Sequence, residues 1–158
     1  MKSAERKTVY NEMIQQLEIT FGNRLKTVIL FGSRARGKTA EHKDHDIFLV
    51  INDLPSDPLK RQREIRNAIW EISIRINTVA KTPEEVNANL TPLLLEICVD
   101  GICLYGSNYF EPYHRKALNA LKQSGLKKRR VGQEWRWQFE KIPDREWEMT
   151  WEGFRELL

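Results

Sequence analysis

The chain has 158 residues, enough for one domain with a proper core and too few for two comfortable ones. Hydrophobic residues make up 41% and charged residues 30%, an ordinary globular composition, and no apolar run reaches the length of a membrane span. The formal net charge of +4 is too mild for a dedicated DNA binder and suits a protein that handles a polyanion such as a nucleoside triphosphate.

Met1 to Lys7 has no apolar stretch behind it, so no signal peptide is expected and a cytoplasmic protein is. Val9, Met13, Leu17 and Phe21 then recur every four residues with Ile14 beside them, which predicts a helix ended by Gly22-Asn23. Thr27 to Phe31 is β-branched and apolar, a buried strand. It runs into Gly32-Ser33-Arg34-Ala35-Arg36-Gly37, a turn able to open a short helix, and then into a polar loop from Lys38 to Lys43. Residues 44–51 predict a second strand, polar at its start and apolar afterwards.

Asp57-Pro58 supplies an N-cap and a first-turn proline for a helix with Leu59, Ile65, Ala68, Ile69 and Ile72 on one face. Residues 73–80 read as a third strand. Thr82-Pro83-Glu84-Glu85 is a capping box, opening a short helix with Val86 and Leu90. Pro92 to Val99 reads as another helix, Gly101 to Tyr105 as a short final strand. Phe110, Tyr113, Ala117, Ala120 and Leu121 mark a last helix closed by Gly125. Cys98 and Cys103 sit in apolar surroundings and read as buried thiols, not as a disulfide or, with three scattered histidines, a metal site.

The tail differs in character. Lys127-Lys128-Arg129-Arg130 is a charge run, read as a solvated turn, and Trp135, Trp137, Trp147 and Trp151 follow it. Trp135, Trp137 and Phe139 alternate as in a strand. We divide the chain into an α/β (α+β) domain at 1–125, a small mixed sheet flanked by helices, and an appendage at 126–158 that packs on the domain or on a partner. Basic residues beside tryptophans also suit base stacking. Asp144, Glu146, Glu148 and Glu152 oppose a phosphate backbone, so packing is preferred over nucleic acid.

One constellation carries chemistry: a strand ending in Gly32-Ser33, then Asp44-x-Asp46 opening the next strand. Glycine lets backbone approach a phosphate, N–H groups at a helix start favour an anion, and the Ser33 hydroxyl adds a donor. Carboxylates two apart on a strand share a face, so Asp44 and Asp46 can hold one divalent cation or bridge two. Magnesium prefers such oxygens, its shell completed by substrate phosphates. Arg34 and Arg36 either neutralise triphosphate charge or are ordinary surface arginines. His45 points to the opposite side of the sheet and reads as a packed histidine. Arg75 shares a face with Asn77 within reach of the site, but not as a catalytic group.

Leu30 to Gly37 followed by Asp44-His45-Asp46-Ile47-Phe48-Leu49-Val50 resembles the minimal nucleotidyltransferases of the DNA polymerase β superfamily. By element order the likeness covers roughly residues 5–105 and is specific at 30–50. The resemblance implies the polymerase β-like nucleotidyltransferase fold, with phosphates held at Gly32 and Ser33 and magnesium, two ions included, on Asp44 and Asp46. It implies transfer of a nucleoside monophosphate from an NTP, expected to be ATP, to a hydroxyl. Members of that family include bacterial antitoxins paired with a helical HEPN toxin, some of which transfer AMP onto the toxin, so a protein partner is implied and a homodimer stays open.

Two positions depart from the family pattern. Lys43 stands where serine is common. The third carboxylate, which helps bind the catalytic metal and activate the attacking hydroxyl, aligns with Asn77, and an amide cannot serve as a general base at pH 7. Either another carboxylate substitutes, or the chemistry is slow, or the site only binds, as in a binding protein of the antitoxin type with a relic site.

Overall fold

A computed structural model of the chain describes residues 3–37 and 44–157, with the side chains of the first helix from Tyr10 onward. Strands β1 (Leu25–Phe31) and β2 (His45–Ile51) are antiparallel neighbours at the centre of a four-stranded sheet. β3 (Ile76–Lys81) lies parallel to β2, and β4 (Ile102–Tyr105) lies antiparallel to β1, giving the order β3-β2-β1-β4. The sheet is mixed, as expected.

Both central strands read as almost unbroken apolar runs because helices cover both of their faces. Val28, Leu30, Ile47, Leu49 and Ile51 pack with Tyr10, Met13 and Leu17 of α1 (Ser3–Phe21) and with Ile65 of α3 (Pro58–Ala68). The alternate residues Ile29, Phe31, Phe48 and Val50 pack with Val86 of α4 (Pro83–Ala88), Leu94 and Ile97 of α5 (Pro92–Asp100), and Ala117 and Ala120 of α6 (Ser107–Ser124). Each fully buried aliphatic or Phe side chain contributes about 1.5–3 kcal/mol of transfer free energy, so the two strands dominate the core. A short helix, α2 (Gly32–Ala35), caps the end of β1.

The helix caps behave as the residues dictate. Asp57 accepts from the Leu59 N–H at 3.1 Å, and Thr82 and Glu85 cap α4 reciprocally. Gly125 closes α6 at φ +71°.

Several expectations need correction. The third strand begins at Ile76, not at residue 73. Leu59 is exposed. It lies about one and two-thirds turns from Ile65, hence on a different face of α3. Cys103 is half-buried where Cys98 is buried. Gly101 to Tyr105 is not the last strand, because two hairpins follow: β5 (Leu126–Val131) with β6 (Glu134–Phe139), and β7 (Trp147–Thr150) with β8 (Gly153–Glu156). The basic run is therefore strand β5 and not a turn. Alternation lets it send Lys128 inward while Lys127 and Arg129 point away.

The four tail tryptophans divide. Trp151 is 7% exposed, donates its indole N–H to the Val86 carbonyl at 2.7 Å and meets the Tyr113 ring edge-on at 5.0 Å. Trp137 is partly buried on the same core cluster. Trp135 and Trp147 stay exposed, Trp147 stacking with Phe139 and Phe154 between the hairpins.

Candidate functional site

β1 ends at Phe31, and Gly32 turns the chain into α2 at φ +75°. A side chain there would be strained by that φ and would collide with the Asp46 carboxylate, so two independent constraints select glycine. Phe31 pairs with Asp46 across β1–β2, and Asp46 pairs with Asn77 across β2–β3. The register thus sets Asp46 between the Gly32 turn and Asn77, in one row across three strands. The Asn77 amide donates to Asp46 Oδ1 at 3.2 Å.

An open cleft of about 540 Å³ lies over the Gly32 and Asp46 end of this row, and Asn77 lines a separate cleft instead. Gly32, Ser33, Arg36, Asp44 and Asp46 line the first cleft, joined by Arg75 and Glu96. Arg75, expected to reach the site, does so: its Nε is 2.9 Å from Asp44 Oδ1, at side-chain exposures of 75% and 43%. Arg36 reaches Glu96 at 2.8 Å. Glu96 is a site neighbour that the sequence reading missed. Its one signal is that it is the only charged residue in the apolar run Pro92 to Val99.

Arg34 stands apart. It is buried beside His45, not in the cleft, and is not a surface arginine either. On the single turn of α2 and its exit, Ser33 and Arg36 are three apart and share a face that Arg34 does not. His45 is also buried, on the α1 side, with the Tyr10 hydroxyl 2.6 Å from its Nδ1. Burial, and then the nearby Arg34 charge, hold its pKa below the ordinary value. Lys43 and the loop from Lys38 lie outside the described residues.

The donor set fits magnesium. It consists of hard carboxylate oxygens from Asp44 and Asp46, and magnesium is usually held by one or two carboxylates plus substrate phosphates. No group of three or more His, Cys, Asp or Glu side chains among the described residues could hold a metal ion. The two aspartates therefore suit a metal–nucleotide complex better than a bare ion.

Residues 12–110 match the family model described as polymerase beta, nucleotidyltransferase. The chain belongs to this nucleotidyltransferase family. A relative from Methanocaldococcus jannaschii, whose name proposes it as the protein adenylyltransferase MJ1305, is 26% identical over 121 residues, covering 73% of this chain and 82% of the relative. Two solved structures share the polymerase β-like fold. One is a toxin–antitoxin crystal structure with AMP-PNP, at 18% identity and TM-score 0.52, covering 71% of this chain and 86% of that one. The other is the tri-AMPylated Shewanella oneidensis HEPN toxin in complex with MNT antitoxin, at 17% identity and TM-score 0.50, covering 74% and 87%. No helix among the described residues of this nucleotidyltransferase is long and apolar enough to cross a membrane.

Proposed function

We propose that the protein transfers AMP from magnesium-ATP to a hydroxyl on a partner protein, at the cleft over Gly32, Asp44 and Asp46. The row Gly32–Asp46–Asn77 supports this reading most strongly, because it separates a phosphate-binding end from an acceptor end. At the first end, Gly32 allows close approach of the leaving β,γ-phosphates, Ser33 donates a hydrogen bond, and Arg36 contributes charge. Magnesium on Asp44 and Asp46 would neutralise phosphate charge and stabilise the attacking and leaving oxygens when bound. The acceptor oxygen forms the new bond to the α-phosphorus, the bond to the β-phosphate oxygen breaks, and pyrophosphate leaves. The acceptor hydroxyl approaches from the Asn77 side, where a second cleft of about 290 Å³, bordered by Gln62, Arg66, Trp70 and Thr78, adjoins it.

Asn77 has no basic atom, so the acceptor's proton goes to water and the step is slow. The HEPN toxin of the fold-related complex indicates the kind of protein acceptor, and the protein adenylyltransferase name of the archaeal relative points the same way. Asn77 also favours a second reading, in which the protein neutralises such a toxin by contact alone and keeps the cleft as a relic.

Incubation with α-labelled ATP, magnesium and a HEPN-type partner separates the two. Label on the partner supports transfer. Asn77→Asp, nearly isosteric, should raise the single-turnover rate by about tenfold or more, toward the 10²–10⁴ range of general-base assistance, with little change in ATP affinity. Complex formation without label, in wild type and Asn77→Asp alike, would establish the contact-only reading instead.

A further inference from the structure

The residues that match the family model end at 110, yet one lysine of the hairpin β5–β6 reaches Glu96, a residue that lines the cleft. Lys128 extends inward from β5 and is only 14% exposed. Its ammonium pairs with Asp100 and lies 3.9 Å from Glu96, two carboxylates one turn apart on α5. The Trp135 and Trp137 rings flank it at 5.9 and 6.0 Å, which fixes the charge from the other side. Glu96 in turn holds Arg36, which lines the cleft with Gly32, Ser33 and the aspartates.

The charges decide what this chain of contacts does. Glu96 and Asp100 carry two negative charges, and Arg36 and Lys128 carry two positive ones. Without Lys128, Glu96 would have Arg36 as its only described cation, and its charge would fall on Arg36 alone. With Lys128 in place, Glu96 is shared. It orients Arg36 without cancelling it, and the cleft keeps a cation for an anionic ligand.

We infer that Lys128, carried by the C-terminal hairpin, is a positioning residue for the nucleotide cleft, acting through Glu96 on Arg36 to tune affinity for the triphosphate. This rests on the reading of the cleft as a magnesium-NTP site. The hairpin is then part of the nucleotide site as well as a packing element.

The test is titration of full-length protein with magnesium-ATP, alongside KM and kcat for transfer. Lys128→Met should weaken ATP binding about tenfold, the size of one unit charge acting at partly buried range, with kcat nearly unchanged. Lys128→Arg should restore it. Glu96→Gln keeps an oxygen for Arg36 and removes the opposing charge, so it should bind at least as tightly as wild type. The double variant Lys128→Met with Glu96→Gln should recover most of the lost affinity. A hairpin that merely supports the fold would instead weaken binding in every variant, without compensation. Wild-type affinity in Lys128→Met, or no recovery in the double variant, overturns the inference alone. No magnesium-ATP binding by the wild type overturns the cleft reading and this inference together.

Discussion

The sheet domain and the C-terminal hairpins solve the same problem, burying apolar surface, by opposite means. The sheet uses long apolar strands sandwiched between helices, and its site sits where those strands end. The hairpins are short, and most of their residues are exposed. They fasten to the domain through Trp151 on Val86, Lys128 on α5, Phe154, whose N–H donates to Gln123 at 3.0 Å, and the partly buried Leu126, Trp137 and Met149. An isolated hairpin is marginal in water, so these anchors decide whether the hairpins hold their place. Chemistry should therefore fail first through the sheet domain, and attachment through the tail.

The largest expected effect tests the first half of that contrast. Asp46→Ala should lower transfer by about 10³-fold, the rate equivalent of the several kcal/mol that metal-assisted charge stabilisation supplies. The melting temperature should hold or rise slightly, since Asp46 makes its one described hydrogen bond to an exposed amide. Single-turnover rates and thermal melts on the same sample measure both. Activity within threefold of wild type would place the metal-binding carboxylates elsewhere.

Trp151→Ala tests the second half. Removing a buried tryptophan costs about 3–5 kcal/mol, cavity included. Here it also leaves the Val86 carbonyl without its donor and opens the apolar surface of Phe48, Leu94 and Tyr113. Denaturant unfolding should show the loss, while Asp44, Asp46 and Gly32 keep their geometry and kcat stays close to wild type at temperatures where the variant is folded. A loss under 1 kcal/mol would show that the hairpin sits on the domain without stabilising it.

This contrast also explains what the sequence could reveal. Thr27 to Phe31, residues 44–51 and the Thr82 capping box announce themselves because their pattern and their partners are local. Gly32 and Asp46 were legible for the same reason: the turn, the strand and the two-residue spacing lie within one short stretch, and the fold only has to close it. The placement of Asn77 depends on strand register: β3 begins at Ile76, and the pairing of Asn77 with Asp46 is set by the parallel sheet, not by any local pattern. Arg75 is legible because it lies two residues from Asn77 on the same face, whereas Glu96 and Lys128 are not, because nothing near a charged residue states which distant charge it will meet. The run 127–130 has the look of a turn because four like charges suit solvent. Alternation across a strand separates them, and two carboxylates on α5 accept the one that faces inward.

The smallest effect concerns the joint between the two regions from the domain side. Val86, whose carbonyl receives Trp151, sits in the first turns of α4, and α4 depends on its cap. Glu85 accepts from the Thr82 N–H at 2.8 Å and from Arg61 at 2.7 Å. Partial burial pushes its pKa up, but the Thr82 N–H and Arg61 outweigh this and hold the carboxyl below its ordinary value. A carboxyl whose folded pKa is depressed binds fewer protons folded than unfolded near that pKa. Its contribution is therefore present above the unfolded pKa and is lost as the pH falls through the folded one. Thr82→Ala should cost about 1 kcal/mol, the usual value of an N-cap, with little dependence on pH. Glu85→Gln should cost a few tenths of a kcal/mol at pH 7, as expected for a half-exposed ion pair. That difference from wild type should shrink as the pH falls through the depressed folded pKa, where the wild-type carboxyl itself takes up a proton. Urea unfolding at pH 7 and pH 3.5, followed through tryptophan fluorescence, reads both the stability and the environment of Trp151. A Glu85→Gln penalty that grows on acidification would show that its carboxyl is not held in the charged form by Thr82 and Arg61, and that α4 presents Val86 to Trp151 without help from its cap.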